Sequence, residues 1–310
     1  MLDVRRMRVL REVAARGSFS AAAEALSFTQ SAVSQQIAAL EREAGATLVE
    51  RSARGVRLTD AGQAVVRHAD AILAKLSEAE AELEAIAGLR GGRLRMSAFE
   101  SAAATIMPVA IAGFAEQHPG VELSMAMYEP EAAVAALKAG DIDLAVTFGS
   151  GKPEDRGADG VTHHHLLEDP MYLVLAESHP LARRRGIRLA DLASEPWIGG
   201  APDCECNRLI SAACRPFGFE PRIAFETDDY AAMQGFVAAG VGVSLIAELG
   251  LRTIRDDIVV RPLGRDTPCR QVFVTALDGY RSPATVSMIE RLREVGRTHA
   301  ARRPVLELVS

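Results

Sequence analysis

Three cysteines lie close together in the sequence, and their spacing bears on two kinds of chemistry, metal binding and redox sensing. Cys204 and Cys206 are separated by one residue and Cys214 follows on the same segment, whereas Cys269 is remote. Zinc sites usually separate paired cysteines by about two to four residues, and no matching histidine lies nearby in the sequence. We therefore interpret the thiols as buried or pocket-lining groups in a reducing cytoplasm. Oxidation of Cys204, Cys206 or Cys214 is the alternative interpretation, because neighbouring thiols can include a resolving partner.

Other residues typical of catalysis do not form a recognisable motif. The sequence has no glycine pattern typical of nucleotide binding and no serine or cysteine nucleophile with a plausible partner motif. We interpret Asp159 and the run His163-His164-His165 as surface or linker residues. The sequence therefore predicts neither an enzyme nor a site for a metal or cofactor.

The side chains best suited to bind another molecule lie on a predicted helix near the N-terminus. Thr29 is a good N-cap for this helix. Apolar residues then fall on one stripe of it: Val33, Ile37 and Leu40. The opposite face is small, polar and free of acids, and it carries Gln30, Ser31, Ser34, Gln35 and Ala38. Glutamine amides can read base edges in the major groove, while serine hydroxyls and helix N-terminal amides can hold phosphates.

A shorter helix and an arginine-rich segment flank this polar face. Ser18 can cap a helix that ends near Leu26, so two helices joined by a tight turn are predicted, as in a helix-turn-helix. A plain surface helix in a bundle is the alternative. Three arginines at every third position favour a DNA-binding unit over a plain surface helix, because they predict a hairpin wing that reaches phosphates or the minor groove. These are Arg51, Arg54 and Arg57. Ser18 and Thr29 are counted with the DNA-binding residues.

Charge is distributed unevenly along the 310 residues, whose formal net charge is −6. Residues 1–60 hold nine arginines, no lysine and seven acids, so this segment is +2 and the remainder is −8. Such asymmetry is typical of a DNA-facing module joined to an acidic body. No stretch is long and apolar enough for a membrane span, and the N-terminus lacks the apolar core of a signal peptide. We therefore expect the chain to stay in the cytoplasm, away from membranes.

A seven-residue apolar repeat predicts a long helix after Thr59-Asp60. The repeat runs through Val65, Ala69, Ile72, Leu76, Ala79, Leu83 and Ile86. Spacing that alternates between four and three residues favours a partner helix over the alternative, which is packing within the helix's own domain. The sequence therefore predicts a homodimer through this helix, which ends near Gly88 or Gly91-Gly92.

From residue 93 onward, short apolar segments alternate with helical patterns. The first predicted strands and helices are 94–98, 101–117, 121–128, 131–139 and 144–148. This βαβαβ order is typical of a parallel sheet, and a second alternating set follows from residue 171. Two α/β lobes joined by crossings near Glu168 and Thr267 would leave a cleft between them.

Ligands of parallel α/β lobes bind at the carboxyl ends of strands, beside helix N-termini. By this rule the best pocket residue is Ser101, although capping is an alternative role for it and for the other candidates. Those are Ala102, Pro130, Thr147, Phe148, Pro202, Asp203, Cys204 and Thr227. These segments contain acids (Glu100, Asp203 and Asp228) and no Arg or Lys. We therefore expect a zwitterionic or polar neutral effector rather than a multiply charged anion.

With these elements in this order, the chain resembles the LysR-type transcriptional regulators from residue 5 to about residue 295. The N-terminal part shares the recognition helix, the turn Glu43-Ala44-Gly45, the wing and the following Ala61-Gly62. The C-terminal part shares His118-Pro119 and the segments 137–145 and 237–243. Departures from the family pattern, which bear on the bases read and on one pocket wall, are Ser31, Gln35, Val49 and Ile246-Ala247.

The resemblance implies an α/β protein with a winged helix-turn-helix (1–60), a linker helix (61–92) and a two-lobed, periplasmic-binding-protein-like effector domain (93–303). Lobe I is expected at about 93–167 and 269–303, and lobe II at about 168–268. The implied function is regulation of transcription through a double-stranded DNA operator, modulated by a small-molecule effector in the cleft. The resemblance also implies that two dimers pair into a homotetramer.

Overall fold

Three short helices and a two-stranded hairpin form the N-terminal unit of the computed structural model, which describes residues 1–52, 55–86, 92–150, 160–201 and 204–301. The elements are α1 (Val4–Arg16), α2 (Phe19–Ala25), α3 (Gln30–Ala44), β1 (Val49–Ser52) and β2 (Gly55–Leu58). The caps predicted for α2 and α3, Ser18 and Thr29, are confirmed. The apolar stripe of α3 is buried as predicted, in a core that it shares with α1 and α2.

The long helix α4 (Asp60–Ile86) begins where the hairpin ends. The Thr59 hydroxyl accepts a hydrogen bond from the Gly62 N–H (3.0 Å) and donates one to the Thr47 carbonyl oxygen (2.7 Å). A Cβ atom on Gly62 would lie 2.1 Å from the Leu48 carbonyl oxygen, so a larger residue could not stand there without moving the backbone. The hairpin and the first turn of α4 are therefore tightly joined.

The apolar repeat of α4 divides into two parts. Ala69 is fully buried in the core of the N-terminal unit, and Val65 packs against the same core. Ile72, Leu76 and Leu83 are instead 40%, 49% and 67% exposed in the single chain. Packing within the helix's own domain therefore accounts for the first turns only, and the later turns present an uncovered apolar edge.

A mixed sheet forms the first lobe of the C-terminal part. Its strands are β3 (Arg93–Ala98), β4 (Glu122–Met127), β5 (Leu144–Gly149), β6 (Val161–Ala176) and β11 (Cys269–Leu277). β4, β3 and β5 run parallel, which confirms the predicted βαβαβ unit, whereas β11 and β6 extend the sheet in the antiparallel sense. The helices of this lobe are α5 (Glu100–Ala104), α6 (Ile106–Gln117), α7 (Pro130–Lys138) and α10 (Pro283–Ala301).

The single helix predicted over 101–117 is wrong, because the structure divides it at Thr105. The backbone there has φ −122° and ψ −76°, outside the helical region. Pro108 explains the break: it has no N–H to donate to the Ala104 carbonyl oxygen, and its ring would clash with that group in a continuous helix. Because of this break, α5 and its N-terminus can point in a different direction from α6.

Strand β6 has 16 residues and belongs to both lobes. Residues 161–170 pair with β11, while residues 171–176 pair with β9 (Ser244–Ala247) and β10 (Ile258–Arg261) of the second lobe. The predicted crossing near Glu168 therefore lies inside a continuous strand. The linker interpretation of His163-His164-His165 is wrong, because these residues are part of β6. Their polar side chains do not match the apolar pattern from which strands are predicted. Asp159 lies outside the described residues.

The second lobe adds a small parallel sheet and two helices. These are β7 (Pro196–Gly199), β8 (Arg222–Glu226), α8 (Glu205–Cys214) and α9 (Tyr230–Ala238). The lobe packs around Trp197, the only tryptophan of the chain, which is 1% exposed. In the parts of the chain that the structure describes, no helix has the length and apolar character needed to cross a membrane.

Candidate nucleic-acid interface and effector cleft

The polar face of α3 is open to solvent. Gln30, Ser31 and Gln35 are exposed and Ser34 is half-buried. At the start of the helix, the Thr29 hydroxyl accepts a hydrogen bond from the Ala32 N–H (3.2 Å). The other first-turn amides of α3 lie at a positive helix terminus that can receive a phosphate.

The hairpin extends beside this helix. Its two strands pair with Glu50 opposite Arg57, and the Val56 N–H donates to the Gly17 carbonyl oxygen (2.9 Å), which ties the hairpin to the loop before α2. Arg57 is exposed. Arg54 and the side chain of Arg51 lie outside the described residues. The arrangement is that of a winged helix-turn-helix with an uncovered recognition face.

A cleft of about 540 Å³, in part open to solvent, lies between the two lobes. The wall from the first lobe includes Phe99, Glu100, Glu129 and Phe148, and the facing wall includes residues of α8 and α9 and residues 199–200. A larger hollow of about 650 Å³ lies between α4 and the first lobe. We take the cleft as the candidate ligand site, because both lobes and their strand ends converge on it.

Arg270, near the start of β11, is the charged centre of the cleft and is 1% exposed. Its Nε donates to Asp169 Oδ2 (2.7 Å) and its Nη2 donates to Ser101 Oγ (2.6 Å). Its guanidinium carbon lies 4.7 Å from the ring centroids of both Phe99 and Phe148, which is cation–π range. Burial lowers the pKa of Arg270, but the Asp169 carboxylate, together with Tyr230 and Cys206, outweighs this effect and raises that pKa, so the guanidinium stays charged.

Three carboxylates of the described residues line the same cleft: Glu100, Glu129 and Asp228. Burial raises the pKa of Glu100, and the neighbouring charges of Asp229 and Asp228 raise it further. Burial also raises the pKa of Glu129, Asp228 adds to this effect, and the Arg270 charge opposes it. The three carboxylates therefore lie close enough to repel one another, and none of them forms an ion pair with a basic side chain that the structure describes.

Only some of the predicted effector residues are brought to the cleft wall. Phe148 and Cys204 line it, and Ser101 lies directly behind it, bonded to Arg270. Successive strand residues point to opposite faces, so Thr147 points away from Phe148 and its hydroxyl lies 2.7 Å from that of Thr275. Three described residues of the set, Ala102, Pro130 and Thr227, do not line the cleft. Pro202 and Asp203 lie outside the described residues.

The clustered thiols are poor candidates for oxidation. Burial raises the pKa of Cys204, that of Cys206 to about 11 and that of Cys214 to about 12. The Cys204 sulfur also accepts a hydrogen bond from the Asn207 N–H (3.3 Å) and so caps α8. The thiolate is the form that reacts with oxidants, and raised pKa values keep it scarce at neutral pH. The geometry favours packing and capping roles for these cysteines.

Sequence reasoning missed the positive charge of the cleft. Arg270 enters from a strand, and its partner Asp169 is 101 residues away in the sequence. Glu129, Asn207 and Tyr230, which also line the cleft, were missed as well. The one available signal was position, because Arg270 follows the predicted second crossing near Thr267.

Known proteins resemble the chain over nearly its whole length. Residues 4–63 match the family model "Bacterial regulatory helix-turn-helix protein, lysR family", and residues 87–297 match "LysR substrate binding domain". The RuBisCO operon transcriptional regulator of Allochromatium vinosum is 31% identical over 304 residues, which are 96% of this chain and 98% of that protein. Among solved structures, a full-length OxyR variant from Pseudomonas aeruginosa has a TM-score of 0.68 at 20% identity, covering 96% of this chain and 95% of its own. Full-length CbnR complexed with its target DNA has a TM-score of 0.63 at 23% identity, covering 95% of this chain and 100% of its own.

The fold and these matches define a class of protein, a DNA-binding transcriptional regulator with a C-terminal effector-binding domain. The chain belongs to the LysR family of bacterial regulators. It is a transcription regulator and not an enzyme.

Proposed function

We propose that a small molecule bound in the cleft between the lobes controls how this regulator binds its operator. The observation that carries the proposal is that the walls of the cleft come from both lobes. A ligand that contacts both lobes can favour one arrangement of them over another, which is how a bound molecule changes a protein's state. Because its macromolecular partner is DNA, we propose that the protein works in the cytoplasm. We also propose the division expected from the sequence, with a DNA-binding unit at 1–60, a linker helix at 61–92 and an effector domain at 93–303.

We assign base reading to Gln30, Ser34 and Gln35 on α3, and phosphate or minor-groove contacts to Arg51, Arg54 and Arg57 of the wing. The exposure of Gln30, Gln35 and Arg57 supports this assignment. Ser18, Thr29 and Ser31 lie at the starts of α2 and α3, where helix amides can hold phosphates.

The assignment is tested with Gln35→Ala on an operator selected from random DNA. Loss of the amide should relax the preference at one base pair by about 1–3 kcal/mol, measured by mobility shift on single-base operator variants. Arg57→Ala should instead weaken binding to all DNA sequences alike and make the affinity less dependent on salt concentration. Gln117→Ala is the matched control, since this glutamine is exposed at the far end of α6. Unchanged preference and affinity in Gln35→Ala would show that the recognition face is misassigned.

We further propose a homodimer through α4 and a homotetramer made of two such dimers. The exposed apolar edge of Ile72, Leu76 and Leu83 supports the dimer, because a partner helix would cover it. For the tetramer, the edge strand β4 exposes Met125 and Met127, which offers a surface for a second effector domain.

Helix α7 offers a route from the cleft to the DNA-binding unit. At its N-terminus Glu131 accepts a hydrogen bond from Arg208 Nη2 of the facing lobe (2.5 Å). Beyond its C-terminus, Arg11 of α1 donates to the Ala139 carbonyl oxygen (3.1 Å) and to the Asp141 carboxylate (2.8 Å). A rearrangement of the lobes would therefore act on one end of α7, while its other end contacts the DNA-binding unit. Chains of packed and hydrogen-bonded contacts of this kind can carry coupling between sites.

A further inference from the structure

The balance of charge in the cleft points to the chemistry of its ligand. Among the described residues, its wall contains the carboxylates of Glu100, Glu129 and Asp228, and one guanidinium, that of Arg270. The Arg270 charge is already matched by Asp169 in a pair that is 1% and 0% exposed. Within the described residues, no basic side chain forms an ion pair with any of the three wall carboxylates. An occupant with a positive charge would supply the missing partner.

An unsatisfied acceptor gives independent evidence for a donor ligand. Asn207 lines the cleft and is 6% exposed. Its Nδ2 donates to the carbonyl oxygens of Gly200 (2.7 Å) and Ala201 (2.9 Å), which determines the orientation of the amide. Its Oδ1 is buried and accepts no hydrogen bond from the described residues. Buried polar atoms without a partner are rare and costly, so a donor from the ligand is the expected partner.

The rest of the wall is apolar, and the carboxylates are not arranged for a metal ion. Met171, Ile210, Met233 and Leu245 contribute aliphatic surface beside the acids. Among the residues that the structure describes, no group of three or more His, Cys, Asp or Glu side chains could hold a metal. An organic cation therefore fits this wall better than a metal ion does.

We infer that the effector binds through a protonated nitrogen, such as a primary ammonium, which the acids of the cleft and the Asn207 oxygen hold while its apolar body contacts the aliphatic wall. This inference rests on the proposed function of the cleft as the effector site. It narrows the ligand to small organic amines, zwitterions included, and excludes effectors whose only charge is negative.

The carboxylate of Glu129 is the most informative position for a test. Titratable and charged groups lie around it on several elements: Glu100 on α5, Asp228 before α9, Cys204 at the N-cap of α8, Cys206 on α8, and Arg270 on β11. Tyr230 lines the same cleft. Since burial raises the pKa of Glu129, and that of Glu100 likewise, protonation should remove acceptor charge at a higher pH than it would for an ordinary glutamate. Binding of an ammonium ligand should therefore weaken as the pH falls.

The experiment compares benzylammonium, benzoate and benzyl alcohol, which share a shape and differ in charge, by calorimetric titration of the full chain. Benzylammonium should bind at least about tenfold more tightly than benzoate. Glu129→Gln should weaken the binding of benzylammonium by about 10- to 100-fold, the usual cost of losing one charged hydrogen bond. It should leave the binding of benzyl alcohol unchanged. Glu116→Gln is the matched control, because Glu116 is exposed on α6 outside the cleft. Trp197 fluorescence checks that both variants are folded.

Benzylammonium that binds no better than benzoate, including the case in which neither binds, overturns the inference. An equal loss of benzylammonium affinity in Glu129→Gln and Glu116→Gln also overturns the inference, as does a loss of affinity that extends to benzyl alcohol. The proposed function is judged separately from the operator footprint of the same samples. Preferential binding of benzoate with a changed footprint would leave effector control in place and reject only the cationic ligand.

Discussion

Replacement of Arg270 by methionine should destabilise the effector domain strongly, because it isolates a buried carboxylate. Asp169 is 1% exposed and would keep only the Leu249 N–H (3.0 Å) as a hydrogen-bond donor among its described partners. Ser101 would lose its bond from Nη2 at the same time. Breaking a buried ion pair by removing one partner costs about 3–5 kcal/mol, so Arg270→Met should lower the free energy of unfolding by that amount.

The double variant Arg270→Met/Asp169→Asn separates the pair from other effects. It removes both charges, and the new amide can still accept from the Leu249 N–H. Replacement of a whole buried pair by apolar residues is often nearly neutral, and a buried neutral amide costs less than an isolated carboxylate, so the double variant should recover much of the stability that the single variant loses. The coupling energy from the four proteins of this cycle should be about 2 kcal/mol or more.

Urea unfolding followed by Trp197 fluorescence is the suitable assay, because the only tryptophan lies in the core of the second lobe. The signal then reports the effector domain and not the DNA-binding unit. Arg255→Met is the control, since Arg255 forms an exposed pair with Asp257 (2.7 Å) on the same lobe and should leave the midpoint unchanged. If Arg270→Met moves the midpoint no further than Arg255→Met, or if the double variant is as unstable as the single one, the reasoning is refuted.

Three further predictions concern assembly, the cleft and the thiols. Leu76→Asp should shift the protein to monomer in sedimentation and abolish tight operator binding, while Lys75→Asp on the neighbouring face should not; a monomeric wild type would contradict the dimer. Ser101→Ala should destabilise the effector domain by about 1–3 kcal/mol in the urea assay, since it leaves an Arg270 N–H without its acceptor, and it should weaken the response of the operator footprint to the effector. With the pKa of Cys206 raised to about 11, iodoacetamide should modify this thiol more slowly at neutral pH than free cysteine and faster as the pH rises; the opposite order would favour the redox alternative.

Local signals in the sequence predicted most of the elements. Thr29 followed by the stripe of Val33, Ile37 and Leu40 was sufficient for α3, because capping and helical periodicity act within a few residues. The division of the helix at Thr105 also has a local cause in Pro108, although the prediction passed over it. Strand β6 was found only from Met171 onward, since its first half carries polar side chains whose partners come from β11.

The sequence by itself determined that this protein binds DNA through a winged helix-turn-helix and carries a two-lobed domain, because family motifs and periodicities are properties of neighbouring residues. Only the tertiary structure decided what the cleft contains. Glu100, Glu129, Asn207 and Arg270 come from four separate segments. They meet only after β6 has crossed into the second lobe and the chain has returned to the first lobe along β11. The partner of Arg270 was equally invisible, since the two charges are 101 residues apart and no local pattern records which strand ends will meet. Electrostatic interactions depend on the distance between charges and on their burial, so the charge of the cleft can be determined only from the folded structure.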